Sequence, residues 1–501
     1  MNLIIFTLAL GMFLWSFSAG IVNISLPTIS QFLDISTNAV SLIVIIHLLV
    51  LVSLLLIFGR VGDIVGYKKI FVIGILLFTV GSYFCGISLD FIQLIIFRVI
   101  QGIGSAMLLS MVPAIISTTF PHNVRGKIFG YISLTTTLGL ASGYGVGGYV
   151  TEFIGWNWIF LIVVPVGIFA TIFAIKVLPS QEIRVQNVKF DIIGAVLIFL
   201  ALAMFIIPFN KDLTVALFVT PLNIEPNLTG GLPFVIIPLL MSLIFAILFC
   251  IWELRHSQPL FDISILKNVY ITVSVIAGFM ASLVLTGTIF LLPFYLELIM
   301  GYSTDFAGLI ILIPSLIVIG VGPISGYISD RIGSRLPTVT AGFGLTLAVF
   351  LLYILNETMG LLFIFIALGI RAISEGMFTP ANNKLVMSHS PKEKLGSVSS
   401  LLNTARYLGL VMGVVVFNAI FNYTISSEIA KILGAPSSGA FQLSAPTGIL
   451  LNGFQSAFIL GIGMSIIIII FSIISKENED YDEDEEYLIE VERAKEKEGY
   501  S

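Results

Sequence analysis

Five charged side chains stand inside long apolar runs, and these are the places where the sequence could do chemistry. Arg98 lies in "LIIFRVIQGIGSA" with Gln101 one helical turn on, and Arg371 and Glu375 stand one turn apart in "ALGIRAISEGMFTP". Arg406 falls beside Asn403 and Tyr407 in "LLNTARYLGLVMG", and Glu297 closes a further run. His47 and Asn23 are uncharged polar residues in the same kind of setting. An ionisable group at the centre of a bilayer costs roughly 3 kcal/mol on insertion scales, so such residues mark proton, ion or substrate sites. Glu375 is the deepest acid: some fifteen residues of apolar chain separate it from the outer end of its span, which places it in the inner half of the bilayer. Burial favours its protonated form and Arg371 favours its ionised form. A carboxyl held between those effects can load and release a proton, which assigns proton coupling to Glu375, Arg371 and Arg98. Asn23, Gln101, Asn403, Arg406, Tyr407, His47 and Glu297 are the candidate lining of a substrate cavity. The plainer reading of Arg371 and Glu375 is an ion pair that only neutralises itself, and that of His47 is a neutral, hydrogen-bonded helix residue.

These residues need a lipid-facing scaffold to hold them. The chain is 57% hydrophobic and 11% charged, with a mean hydropathy of +1.07, too apolar to cover a water-facing surface. A span needs about 20 apolar residues, and that ruler gives fourteen, from 4–27 to 454–474, with 191–209 and 233–252 as the seventh and eighth. Helices are the expected form, because lipid offers backbone groups no partners. The N-terminal run has no basic segment before it and reads as a first span. The segment 421–453 reads as the longest outer connection, with a short amphipathic piece, "ISSEIAKIL". Cys85 and Cys250 lie in apolar runs and read as small buried residues. His47, His122, His256 and His389 are scattered, so no metal or nucleophile constellation forms, and the absence of a P-loop removes an ATP-driven pump.

Charge sets the expected orientation. Residues 476–501 hold twelve acids and four cations, a net −8, which leaves the rest of the chain at +3 against a total of −5. With both termini inside, nineteen of the 24 Lys and Arg fall in inner loops or tail and only Lys211 and Lys431 outside. That asymmetry makes both termini cytoplasmic in a cell-membrane protein. The acidic tail reads as a solvated extension. Three sequons, at Asn227, Asn356 and Asn422, fall in expected outer loops.

Two inner loops repeat a pattern. "GRVGDIVGYKKI" (59–70) follows the second span and "GYISDRIGSRLP" (326–337) follows the tenth. A simple six-span repeat would put the second copy after span 8, so an extra pair is inserted between the halves. The expected parts are 1–180, a six-helix bundle; 181–257, two inserted spans; 258–474, a second six-helix bundle; and 475–501, the acidic tail. Glycines at such a turn let helix ends approach, and Asp63 can accept from backbone N–H groups at a neighbouring helix N-terminus. The cations suit carboxylates or lipid phosphates. Gly59, Asp63, Gly66, Lys68, Lys69, Asp330 and Arg331 therefore form a candidate cytoplasmic gate. In "LGLASGYGVGGYV" (138–150), Gly143, Gly145 and Gly148 spell G-x-G-x-x-G, but no strand precedes them and a dinucleotide site is excluded. Gly139, Gly143, Gly147 and Gly148 instead suit close helix packing.

The loop pattern and its second copy resemble the signature of the major facilitator superfamily. "LIIFRVIQGIGSA", "PLFDISILKNVYI", "YLELIMGYSTDFAGL" and "GSVSSLLNTARYLGLVMG" are similar to segments of its fourteen-span drug:proton antiporters. The resemblance covers nearly the whole chain. It implies an all-α integral membrane protein of the major facilitator fold, two six-helix bundles plus two central spans. It also implies a non-enzymatic secondary transporter exporting small amphipathic compounds in exchange for protons. The expected partners are a small-molecule substrate, protons and the lipid bilayer, with no nucleic acid, no cofactor and no metal, and a monomer as the working unit. A transporter of one metabolite or anion, or a non-transporting sensor on the same scaffold, is the alternative. Three departures bear on mechanism: Tyr144 stands where the antiporter motif has proline, Asn157 where Arg is usual, and Ser18 where many members carry an intramembrane Asp.

Overall fold

The computed structural model describes residues 2–179, 191–209, 232–256, 263–390, 395–433 and 445–475. The limits expected at 180 and 257, the sequon at Asn227 and the acidic tail lie outside these residues. We number the helices α1 (Asn2–Phe32), α2 (Thr37–Val65), α3 (Tyr67–Gly86), α4 (Phe91–Thr119), α5 (His122–Phe153), α6 (Trp158–Val177), α7 (Ile192–Ile206) and α8 (Leu232–Arg255). They continue as α9 (Val269–Phe294), α10 (Thr304–Ile332), α11 (Arg335–Tyr353), α12 (Leu361–Ser388), α13 (Leu395–Leu433) and α14 (Thr447–Ile474). Among the described residues there is no strand. Twelve of these helices are long and apolar enough to cross a membrane. The other two are α5, which is 32 residues long but rich in Gly, Ser and Thr, and α7, whose helix has 15 residues.

Local chemistry fixes several helix starts. Ser36 Oγ accepts from Ala39 N at 3.0 Å, Asp90 Oδ1 from Gln93 N at 2.8 Å, and Asn268 Oδ1 from Tyr270 N at 3.0 Å, each capping orphan N–H groups. Gly66 alone joins α2 to α3 with φ 103°, and Gly333 stands at the matching turn after α10 with φ 82°. A side chain is strained in that region, which explains the glycine in both copies of the repeated loop. Pro293 removes a backbone donor near the end of α9, and a π-turn, Tyr295–Ile299, follows it.

Packing repeats as the loops do. Helix α1 packs on α5, α2 and α3 on α4, and α1 and α3 on α6; likewise α9 packs on α13, α10 and α11 on α12, and α9 and α11 on α14. The most extensive contacts between these sets are α5 with α10 and α2 with α13, and the same two-fold relation exchanges them. Helices α7 and α8 pack on each other, with α7 also against α2. Apolar side chains such as Ile73, Leu76, Phe169 and Leu243 are exposed on outward faces, as lipid requires.

One sequence expectation changes here. The piece "ISSEIAKIL" is not a separate loop element but the last turns of α13, and Asn422 is a buried residue within that helix. Helix α12 runs on to Ser388, so Glu375 stands at its middle, fourteen residues from Leu361 and thirteen from Ser388.

Candidate functional site

Helix alternation puts Gly66, Lys68, Lys69, Arg331 and Arg335 at one end of the bundle, here the basic end. The turns before α2, α4 and α10 lie at the far end. Helices α5 and α10 touch at the far end: a methyl group added at Gly148 would lie 2.5 Å from Thr304 O, and one added at Gly308 would collide with the Tyr144 carbonyl. Eighteen residues, five turns and about 27 Å, return a helix to the same face. On those same faces Gly130 of α5 and Gly326 of α10 have nothing within 4 Å. Among the described residues, the two helices therefore diverge from a closed far end to an open basic end.

The closed end is held by neutral polar side chains. Between α2 and α13, Thr37 donates to Asn422 Oδ1, and Asn418 Nδ2 donates to Asn38 Oδ1 at 3.0 Å and Ser41 Oγ at 3.1 Å. Asn422 Nδ2 in turn reaches Asn418 Oδ1 at 2.8 Å. Between α1 and α10, the hydroxyls of Thr28 and Thr304 lie 3.1 Å apart, and Thr304 N donates to Glu152 Oε2 of α5 at 3.2 Å.

Arg98, Gln101 and His47 come together inside the first bundle. Arg98 is 3% exposed; its Nε donates to Ile43 O at 2.8 Å and its Nη1 to Gln101 Oε1 at 2.5 Å. Gln101 Nε2 passes the chain on to Ser82 Oγ at 2.7 Å and Ser18 Oγ at 3.3 Å. His47 Nε2 meets Ser105 Oγ at 3.3 Å, and its Nδ1 is buried without a hydrogen-bond partner. Among the described residues Arg98 has no salt bridge. Its charge is met by neutral oxygens, those of Ile43 and Gln101.

Arg371 and Glu375 form the second group, with Arg371 Nη1 3.3 Å from Glu375 Oε2. Arg371 also donates from Nη2 to Leu285 O at 3.0 Å and from Nε to Thr288 Oγ1 at 3.3 Å, both on α9. The arginine side chain is 9% exposed and the glutamate 30%, so the acid keeps an open face. Tyr144 of α5 interacts electrostatically with both, which places the pair beside the seam between the two sets of helices. Tyr407 stands edge-on to Trp15, with ring centroids 6.1 Å apart, joining α13 to α1. Asn403 and Arg406 are half-buried on α13, and Asn23 is 8% exposed with its Oδ1 lacking a hydrogen-bond partner. Glu297 sits apart from all of these, in the π-turn at the far end.

At the basic end, Asp63 does not bond to a neighbouring helix N-terminus. Its Oδ1 accepts from the Tyr67 hydroxyl at 2.8 Å, and its Oδ2 lies 3.9 Å from Arg60 Nη1. Asp330 pairs with Lys384 at 3.4 Å, and Arg331 lies 4.5 Å over the Tyr327 ring. Lys68 is half-buried and Lys69 exposed, while nothing lies within 4 Å of a methyl group placed at Gly59. The physical reason is the divergence of the helices: with this end open, its polar groups satisfy themselves locally. Along the α1–α5 seam, Gly139 faces Phe13 and Ser16, Gly143 faces Phe17 and Gly20, and Gly147 faces Ile21 and Ile24, while Gly148 faces α10.

Sequence reasoning missed Trp15, Glu152, Thr304 and the Asn38–Asn418–Asn422 ladder as site residues. Asn418 and Asn422 stand at i, i+4 at the end of an apolar stretch, where they look like the approach to a loop; the others show only in their partners.

The chain matches the family described as Major Facilitator Superfamily over residues 8–414. It is 29% identical to the riboflavin transporter RibZ of Clostridioides difficile (strain 630) over 425 residues, 85% of this chain and 89% of that protein. It is 26% identical to the putative multidrug resistance protein MdtD of Escherichia coli (strain SE11), covering 84% and 86% of the two chains. Its fold is similar to that of a bacterial homolog of the human lysosomal transporter Spinster, in an inward-facing and unoccupied conformation. The TM-score is 0.64 at 16% identity, over 94% of this chain and 96% of that one.

Proposed function

The chain belongs to the major facilitator superfamily and is a multi-pass membrane transporter, not an enzyme; from that premise we propose that it exports small amphipathic compounds in exchange for protons, by alternating access. The observation that carries this reading is the pairing of a sealed far end with an open basic end, with Arg371 and Glu375 beside the seam. A transporter that alternates needs a seal that can be remade at the other end, and Asp63 and its repeat copy Asp330 stand where that second seal would form. Glu375, with one face open and a cation at 3.3 Å, is the proton carrier. The fourteen-span count, the 6 + 2 + 6 division and a cell-membrane location with cytoplasmic termini belong to the same reading. The cation asymmetry supports the orientation.

A second reading, a transporter dedicated to one flat heteroaromatic solute, is favoured by Trp15 and Tyr407. The Trp15 indole N–H is buried without an acceptor beside the Tyr407 ring. A planar ring with a carbonyl edge would stack on one and accept from the other. Ser18 and the uncompensated Arg98 speak against a preference for cations. Proteoliposomes carrying an imposed pH gradient test both readings. Flux of riboflavin and of a cationic dye, each measured with and without the gradient, separates them. Gradient-driven movement of both compounds supports the exporter; movement of riboflavin alone supports the dedicated transporter; no flux of either would remove both.

A further inference from the structure

At the closed end, one residue gathers contacts from both sets of helices. Thr304 opens α10, and its N–H donates to Glu152 Oε2 of α5 at 3.2 Å. The residue before it, Ser303, supplies no side-chain cap, so a carboxylate from the opposite set caps this helix. The Thr304 hydroxyl meets Thr28 of α1 at 3.1 Å. A second carboxyl, Glu297, is delivered by the π-turn after α9 and faces both the Thr304 side chain and Glu152. Its Oε1 is buried and has no hydrogen-bond partner.

Two carboxyls thus meet at one helix N-terminus. Such a terminus offers the equivalent of about half a positive charge, enough to favour one anion and not two. Among the described residues, the other groups facing this point add no cation. Asp305 follows Thr304 on α10, Glu357 approaches from the α11–α12 connection beside Tyr295, and Asp34 stands in the turn after α1 at the same end. The ends of α1 and α14 packed here, Ser25–Phe32 and Thr447–Phe454, carry no titratable side chain. A buried carboxyl oxygen with no hydrogen-bond partner, in the field of a second carboxylate, favours the protonated form.

We propose that closing the far end takes up one proton, held by Glu297, while Glu152 stays ionised as the cap of α10. When the two sets of helices separate there, Glu152 leaves Thr304, Glu297 meets water, and the proton departs to the far side. The sign follows: the closed form holds one more proton than the open form, so acid on the far side favours closure and alkali favours opening. One linked proton changes the closed-to-open ratio by at most about tenfold per pH unit. Glu297 and Glu152 are therefore gating residues that make the far-side pH an input to the cycle, separately from any proton carried by Glu375. The inference rests on the alternating-access reading.

The test is a distance measured across the far end. Spin labels at Leu89→Cys and Tyr423→Cys, both exposed, report on opposite sets of helices, in a chain carrying Cys250→Ser to remove the exposed native thiol. Pulsed electron–electron distance distributions of the protein in lipid nanodiscs are recorded from about pH 5 to pH 8, with about tenfold per unit as the ceiling. The expected result is a short distance in acid, giving way to a longer one as pH rises. Glu297→Gln should hold the short distance at every pH, while Glu297→Asp and Asp305→Asn should keep the pH response. If Glu297→Gln responds to pH as the parent does, the proposal is wrong. If two distances exchange but ignore pH in the parent, the proton linkage fails and alternation survives. A single distance in all variants at all pH values would overturn both.

Discussion

Asn418 of α13 and Asn38 of α2, 380 residues apart in sequence, share a hydrogen bond of 3.0 Å across the closed seam. Both are buried, and Asn418 Nδ2 also reaches Ser41 Oγ at 3.1 Å. Asn418→Leu would leave Asn38 and Ser41 short of a buried partner, a cost of about 1–3 kcal/mol that falls only on the closed state. The expected outcome is a shift toward far-end opening by roughly fivefold to a hundredfold, by the same cost. Spin-label distances between Leu89→Cys and Tyr423→Cys measure it; an unchanged distribution in a well-folded variant rules out a sealing role.

That ladder also shows where sequence was legible and where it was not. Arg98, Arg371 and Glu375 stood out because a charge in an apolar run needs a partner, and the structure gives each one: Gln101 for Arg98, and each other for Arg371 and Glu375. The repeated loop did so through Gly66 and Gly333, whose positive φ admits little else. Asn418, Asn422 and Ser426 had the opposite effect. Polar residues at the end of an apolar run look like the approach to a loop, and Asn422 in a sequon reinforced that. In the fold, Asn418 and Asn422 satisfy each other and α2, so α13 continues to Leu433. Glu152 and Thr304, separated by 152 positions, were illegible for the same reason: neither has a local partner that reveals the pairing.

The Arg98 network makes a second prediction. The guanidinium serves two acceptors in different directions, Ile43 O and Gln101 Oε1, and Gln101 holds Ser18 and Ser82 in turn. A lysine ammonium keeps the charge but not the planar fork. Arg98→Lys should insert normally and lose transport by about tenfold, the equivalent of one charge-assisted bond weakened by roughly 1.4 kcal/mol. Arg98→Met should lose more. Initial rates in proteoliposomes, scaled to inserted protein, provide the check, and full activity in Arg98→Met would remove this cluster from the mechanism.

Asp63 is bonded within its own loop in this conformation, to Tyr67 and near Arg60. Its proposed sealing role belongs to the state in which the basic end closes. Asp63→Asn should therefore leave the present state intact, disfavour the other, and reduce transport by roughly fivefold to thirtyfold if about 1–2 kcal/mol of sealing is lost. Tyr67→Phe removes only the local bond and should change transport less than twofold on the same scale. Accessibility of Leu336→Cys to a membrane-impermeant thiol reagent, applied from the basic side, is the measure. Equal labelling and equal transport in Asp63→Asn would show that the basic end is sealed by something else.

Glu375 carries the last prediction. Arg371 does not depend on it for position, since Leu285 O and Thr288 Oγ1 hold the guanidinium from α9. Glu375→Gln should accordingly fold, leave Arg371 in place, and remove a titratable group with an open face beside the seam. If Glu375 carries the exchanged proton, downhill exchange of substrate persists in proteoliposomes while accumulation driven by a pH gradient disappears. If it only neutralises Arg371, Glu375→Gln should still concentrate substrate, and the proton must then travel with Arg98, water or the substrate itself. Arg371→Met makes the complementary arm. It strips the cation from the pair, leaves the carboxyl in place, and should weaken gradient-driven accumulation even where substrate binding is unchanged. Gradient-driven accumulation that survives in Glu375→Gln and fails in Arg371→Met would move the coupling role from the acid to the arginine.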